Sequence, residues 1–364
     1  MAVLVTNDFP PLHGGIQRCM SRLAQELSLR DERVVVVAPV TPGSAAFDAS
    51  QHFRVLRYPV FNRITSFAAM TLWLLRARIS DQKSYTVASV WFPGGLAACL
   101  LPRPLRGRLG VLAHGSEIAP EKTGLRRHVM RYVFRHADVI IANSRFTRDL
   151  LVRAGVRQPV SVVHLGIDDA PIAPARAPEP TVLSVGRLVP RKGFDKIIEG
   201  LPRVLREWPT LRYEIVGAGP QRAELEALAE RCAVSANVVF LGALDDAGVR
   251  EAYARAWCFA LPVRTFGNDV EGFGLVYLEA ALAALPAIGG RGSGAEDAIE
   301  AGETGLLVDG TSSDAVSDAI LTLLADPANA ARMGERGKQR ALEHFTWRNT
   351  AAGVAGIMAS PARN

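Results

Sequence analysis

Asp269-Val-Glu-Gly-Phe-Gly-Leu-Val-Tyr-Leu-Glu279 sets two carboxylates around a glycine-rich turn that runs straight into an apolar helical pattern. Gly272 and Gly274 can take backbone angles closed to other residues, which leaves the amides of Phe273, Gly274 and Leu275 open at a helix start. Free amides and the positive end of the helix dipole suit a phosphate. Glu271 lies before the turn and Glu279 about two helical turns along, and a carboxylate only accepts hydrogen bonds, so both suit hydroxyl-rich ligands such as a ribose or a hexose. Two glutamates on a helix also describe a plain solvated face.

Four more segments carry chemistry, each where a strand pattern gives way to a turn. In Asp8-Phe-Pro-Pro-Leu-His-Gly-Gly-Ile-Gln17, Gly14 and Gly15 open a helical pattern and permit close approach of backbone to a diphosphate. His114-Gly-Ser-Glu117 puts a histidine at a strand end, where it either caps a turn or faces a ligand. Arg187 and Lys192, in Ser184-Val-Gly-Arg-Leu-Val-Pro-Arg-Lys-Gly193, supply two cations across a proline turn. Fixed cations there match the charge that concentrates on the leaving oxygen when a sugar–phosphate bond breaks. Arg191 reads as a solvated neighbour of Lys192. Val216-Gly-Ala-Gly-Pro-Gln221 imitates a dinucleotide fingerprint, but position 222 is arginine where the motif needs glycine.

These segments need a scaffold of alternating strands and helices, and the chain supplies one throughout, the pattern of parallel doubly wound α/β sheets. Strands are expected at Ala2 to Val5, Val34 to Ala38, Val87 to Trp91, Val111 to Ala113, Val139 to Ala142 and Val160 to His164, with helices at Ile16 to Leu29 and Arg126 to Phe134. The proline-rich run 169–180 breaks the alternation and reads as a linker. Strands resume at Thr181 to Val185, Tyr213 to Val216, Val238 to Leu241, Cys258 to Leu261 and Pro286 to Ile288. Helix is expected from Ala328 to Met358. The domains so drawn are 1–168 and 181–344, which agrees with 364 residues being more than one core normally supports.

Composition narrows the classes further. Four scattered cysteines, Cys19, Cys99, Cys232 and Cys258, form neither a disulfide framework nor a zinc cluster, as in a reducing cytosol. The first residues carry no basic leader and read as a buried strand, and no apolar run reaches the length of a membrane span. A net charge of +6 and a pI near 9.4 admit an anionic partner. Arg127, Arg131 and Arg135 at four-residue spacing, with Leu101-Pro-Arg-Pro-Leu-Arg-Gly-Arg108, form either a surface for an anionic membrane or a solvated face. No nucleic-acid motif is present, and nucleic acid is not an expected partner.

The Glu271 to Glu279 spacing resembles the Glu-x7-Glu motif of the retaining glycosyltransferases of family 4, which have the two-domain GT-B fold. Gly186-Arg-Leu-Val-Pro-Arg-Lys-Gly193 resembles that family's Gly-Arg-Leu-x-x-x-Lys-Gly element. The loop Arg264-Thr-Phe-Gly-Asn-Asp-Val-Glu271 is most similar to the mannosyltransferases that use GDP-mannose, including those acting on phosphatidylinositol.

The resemblance implies two Rossmann-like domains facing a deep cleft, a nucleotide-sugar donor, and a glycan or lipid-linked acceptor bound mainly by the first domain. Gly14 and Gly15, Arg187, Lys192 and the amides of Phe273, Gly274 and Leu275 would surround the diphosphate. Glu279 would hold the ribose, Gly217 and Leu244 would lie near the base, and Glu271 and His114 would meet the sugar. A C-terminal helix, 345–364, would pack on the first domain. No DxD motif or metal-ligand cluster is present, so no metal and no other cofactor is expected. A cytoplasmic enzyme, peripheral on the inner membrane face, follows as an expectation. A UDP-sugar donor and a non-catalytic nucleotide or carbohydrate binder are the alternatives; a nucleotide-dependent oxidoreductase lacks its fingerprint.

Overall fold

A computed structural model of the chain describes residues 1–12, 14–30, 32–79, 85–118 and 124–360. His13 of the first glycine-rich loop and residues 361–364 of the expected last helix lie outside them. The chain forms two compact units, residues 1–166 with 347–364, and residues 167–346.

The first unit is built on seven parallel strands, β1 (Ala2–Val5), β2 (Val34–Pro39), β3 (Arg54–Tyr58), β4 (Tyr85–Ala88), β5 (Arg108–Ala113), β6 (Val139–Ala142) and β7 (Val160–Val162). Their order is β3-β2-β1-β4-β5-β6-β7. β1 and β2 are wholly buried, valine-rich apolar runs, as strands covered on both faces require. Helix Gly15–Leu29 buries Cys19, Met20, Leu23, Ala24 and Leu27, one stripe of its surface. Helix Trp347–Ala359 packs on it and completes the core with Ala351, Val354 and Met358.

The second unit carries β8 (Thr181–Val185), β9 (Arg212–Val216), β10 (Val238–Gly242), β11 (Cys258–Leu261), β12 (Ala287–Gly290) and β13 (Gly305–Val308), all parallel, in the order β10-β9-β8-β11-β12-β13. In both sheets the chain winds outward from a central strand and then returns to that strand's other side. The switch lies between β1 and β4 in one and between β8 and β11 in the other. Loops leaving the carboxyl ends of these strands diverge and leave a crevice, the usual place for a ligand.

Several expectations need correction. β3 and β13 were not expected: Arg54-Val-Leu-Arg-Tyr58 carries two arginines and lies at a sheet edge, while Gly305-Leu-Leu-Val308 is short and starts on glycine. Trp91 belongs to the turn Trp91–Gly95 rather than to β4, because Gly94 and Gly95 fold back tightly there. The helical tail is two helices, Pro327–His344 and Trp347–Ala359, parted at Phe345 and Thr346, both of which belong to the second unit. Residues 169–180 do not hang between domains. Ile172, Ala175 and Ala177 donate backbone hydrogen bonds to Leu282, Ala254 and Arg255, and Arg176 Nη2 donates to the Ala283 and Ala284 carbonyls. The prolines forbid regular structure, and the segment is laid along the second unit by these bonds instead.

The loops after β8 and β9 touch at Gly217, whose φ is +136° and where a Cβ would stand 2.0 Å from the Gly186 carbonyl oxygen. Gly217→Ala is therefore expected to lower stability by about 2 kcal/mol or more in thermal or urea unfolding. A Cβ at Gly15 meets nothing within 4 Å, and Gly15→Ala should stay within about 0.5 kcal/mol of wild type.

Candidate active site

In the second unit, the loops after β8 and β11 meet around one carboxylate. Glu271 Oε2 accepts from Lys192 Nζ at 2.6 Å and from Arg191 Nη1. Arg191 Nε also lies 3.0 Å from Asp269 Oδ2, close enough to pair charge though off-axis for a hydrogen bond. Lys192 ends a short 3-10 turn, Pro190–Lys192, and its side chain is only 9% exposed against 12% for Glu271. Burial pushes the Glu271 carboxyl up, but the charges and hydrogen bonds of Lys192 and Arg191 outweigh it and hold the group below the ordinary carboxylate range. Burial, reinforced by the Glu271 charge, keeps the Tyr277 hydroxyl protonated, and it donates to the Leu261 carbonyl at 2.6 Å.

The strap 264–271 is fastened along its length. Arg264 N–H donates to the Arg191 carbonyl and Arg264 Nη2 to Asp195 Oδ2, both within 2.9 Å. Phe266 and Asp269 exchange backbone hydrogen bonds around Gly267 and Asn268. Gly294 N–H donates to the Glu271 carbonyl.

Glu271 is followed by the turn into helix Leu275–Leu282. Gly274 caps this helix in the left-handed region, φ 88°, and a Cβ there would meet the Tyr277 ring at 2.5 Å. No side chain caps the helix, so its first amides are the kind of donors an anion uses. The side chain of Phe273 is buried against Phe345, with ring centroids 5.9 Å apart, and so only its backbone is available to a ligand. Leu275 is half-buried at the helix start. Glu279 lies one face along and accepts from Tyr253 Oη at 3.3 Å.

Arg187 is exposed at the end of β8, while Gly217 and Leu244 lie in the loops after β9 and β10. Leu244 is exposed next to Asp245, which caps the following helix through Gly248 N–H. Gly217 serves loop packing, as its contact with Gly186 shows. The sequence assigned Arg191 to solvent. It is instead largely enclosed and joins Glu271 to Asp269, and its sole signal in the sequence was adjacency to Lys192.

In the first unit, Gly14 caps helix Gly15–Leu29 without any side-chain cap, as an anion site at a helix start requires. Its φ of 160° is ordinary extended backbone, so the glycine is not demanded by conformation. The preceding loop is pinned by Arg57, whose Nη2 donates to the Pro10 carbonyl and whose guanidinium lies over the Phe9 ring. His114 follows β5. Its Nε2–H donates to the Ser89 carbonyl at 2.9 Å, which leaves Nδ1 outside that contact, and its backbone N–H donates to Glu117 Oε1.

The expected basic stripe is only partly engaged: Arg135 and Arg103 are exposed and Arg127 is half-buried, while two other arginines are held by carbonyls. Arg131 donates twice to the Ala154 carbonyl, and Arg106 is buried with its Nη2 on the His136 carbonyl. The first unit also exposes apolar side chains. Phe61 is 77% and Ile64 82% exposed at the start of helix Arg63–Ile79, and Phe67, one turn on, stacks with the exposed Phe92.

Two doubly wound parallel units, with cations, a carboxylate and an uncapped helix start at one switch point, are the arrangement expected of a GT-B glycosyltransferase, and the comparisons with known proteins agree. Among solved structures, Anabaena HepE in complex with UDP shares this fold with a TM-score of 0.83 at 20% identity, over 99% of this chain and 100% of that one. Sucrose-phosphate synthase from Thermosynechococcus elongatus does so at 0.77 and 22%, over 98% of each. "Glycosyltransferase Family 4" matches residues 13–171 and "Glycosyl transferases group 1" matches residues 168–340, meeting where the chain passes between its units.

The chain belongs to family 4 of the glycosyltransferases. It is 35% identical, over 98% of its length and 97% of the relative's, to a GDP-mannose-dependent alpha-(1-6)-phosphatidylinositol monomannoside mannosyltransferase of Mycolicibacterium smegmatis. It is 31% identical to the GDP-mannose-dependent monoacylated alpha-(1-6)-phosphatidylinositol monomannoside mannosyltransferase of Corynebacterium glutamicum, over 99% and 98%.

The depressed Glu271 carboxyl gives a stability term that is full above the ordinary glutamate value of 4.5 and is lost as pH falls through the lower folded value. Around it stand Lys192, Arg191, Asp269 and Tyr277. Glu271→Gln leaves two cations facing each other and should cost about 3 kcal/mol at neutral pH. The gap from wild type should close in melting experiments run at progressively lower pH; a pH-independent gap would contradict the ion cluster.

Proposed function

We propose that the protein transfers mannose from GDP-mannose, with retention of anomeric configuration and without a metal, to a hydroxyl of a phosphatidylinositol-mannoside-like glycolipid. The observation that carries this is near-full-length similarity to relatives named for that donor and acceptor. The site chemistry supports it. Lys192 and Arg187 offer positive charge to the diphosphate, and the amides at Gly274 add hydrogen-bond donors. Glu271 and Glu279 accept from sugar and ribose hydroxyls. In the first unit, the uncapped helix start at Gly14 and Gly15 and the His114 ring, whose Nδ1 is outside the Ser89 contact, are assigned to the same substrate. As the bond between the anomeric carbon and the β-phosphate oxygen breaks, the acceptor hydroxyl oxygen bonds to that carbon on the same face and gives its proton to the departing phosphate oxygen. Lysine and arginine charges do the work of a metal on the leaving group.

The protein acts peripherally on the cytoplasmic face of a membrane. No helix among the described residues is long and apolar enough to cross one. Phe61, Ile64 and Phe92 supply an exposed apolar surface for the headgroup region.

GDP should raise the melting temperature, by up to about 2.7 kcal/mol of added stability at a hundred times its Kd, more than UDP or ADP, and EDTA should not change this. A UDP preference would overturn the donor. Lys192→Ala and Glu279→Ala should fold and bind donor poorly, with Lys192→Ala losing about 100-fold or more in kcat. Product anomer analysis by NMR should find retention. Phe61→Ser/Ile64→Ser should lower flotation with anionic liposomes while leaving the GDP response intact; equal flotation would end the membrane assignment.

A further inference from the structure

One oxygen of Glu271 serves both Lys192 and Arg191, and the two cations are anchored differently. The Lys192 ammonium engages Glu271 from beside Gly186, where its Cε and Nζ lie within 3.8 Å of the position a Cβ would take. It therefore adjoins exposed Arg187 and the end of β8, where a diphosphate would bind. Arg191 spans two carboxylates, Glu271 and Asp269, and its carbonyl accepts from Arg264 N–H at 2.8 Å. A guanidinium can hold two carboxylates at once from a fixed plane, which an ammonium on a flexible stem does poorly.

In the function proposed above, on which this inference rests, Lys192 must exchange Glu271 for a phosphate oxygen. A buried carboxylate that loses its only cation is strongly disfavoured. We propose that Arg191 is a positioning residue that stays on Glu271 when Lys192 moves to the diphosphate, keeping the sugar-binding carboxylate charged, paired and in place. Asp269 is the anchor that keeps Arg191 from following Lys192 to the phosphate. The role is distinct from that of Arg187 and Lys192, which meet the donor directly.

The proposal predicts that Glu271 is what makes Arg191 necessary for nucleotide binding. GDP affinity, measured by calorimetry with UDP in parallel, is compared for wild type, Arg191→Ala, Glu271→Gln and the double variant. Arg191→Ala should weaken GDP about tenfold or more, equivalent to ~1.4 kcal/mol. The double variant should bind GDP as tightly as Glu271→Gln alone, because the neutral amide no longer competes for Lys192. A merely structural role, or a direct contact of Arg191 with phosphate, would leave the same deficit in both backgrounds and overturn the proposal. Arg191→Gln, which fills the space without charge, should repeat the pattern if the alanine variant fails to fold. Wild type that binds neither GDP nor UDP would remove the underlying site assignment; wild type that binds while the cycle is additive removes the role of Arg191 alone.

Discussion

The pairing of Glu271 with Lys192 and Arg191 is the contact on which the second unit's site depends. The partners are separated by 79 and 80 positions in the chain and come from loops after different strands. They meet because the chain lays β11 beside β8 only after running out through β9 and β10. Diverging loops at such a reversal leave space between them, and a buried carboxylate there needs counter-charge from the opposite loop. Site and topology are thus two descriptions of one arrangement.

The strap before Glu271 extends the same logic. Arg264 and Arg191 are each tied by backbone and by guanidinium, so the strap is held through charges that are themselves held. A rigid carboxylate suits hydroxyl recognition, since a hydrogen bond to a sugar is worth most when its acceptor needs no reordering. The first unit repeats the winding with other contents. The loop after β1 is pinned by a guanidinium on an aromatic ring and two carbonyls, and it delivers an uncapped helix start rather than a charge cluster.

Much of this was legible in the sequence where residue type and local geometry agree. Val34-Val-Val-Val can only be a strand buried on both faces, and Gly274 before an apolar run can only begin a helix from an unusual backbone angle. Arg187, Lys192 and Glu271 were singled out from spacing because their loops follow strands, and the structure pairs the last two. What escaped depends on distant partners. Arg191 resembles a surface arginine until Asp269 and Glu271 are brought beside it, and Arg131 and Arg106 resemble a basic face until carbonyls from other segments claim them. The proline-rich segment looked unattached because its bonds run to Leu282, Ala254 and Arg255, far along the chain. The edge strand β3 was hidden by its arginines, one of which turned out to hold the β1 loop.

The first unit is discontinuous, closed by helix Trp347–Ala359 after the entire second unit has intervened. Met358 lies against Gly110 of β5, and Thr350 donates to the His164 carbonyl, so the closing helix reaches both the middle and the rim of the sheet. During synthesis the ribosome therefore releases a complete second unit while the first still lacks part of its core. The half that is made first is the half that must wait. For that interval the apolar stripe of helix Gly15–Leu29 is a ready target for chaperones, and a chain cut short just before Trp347 would leave the later domain whole and the earlier one open.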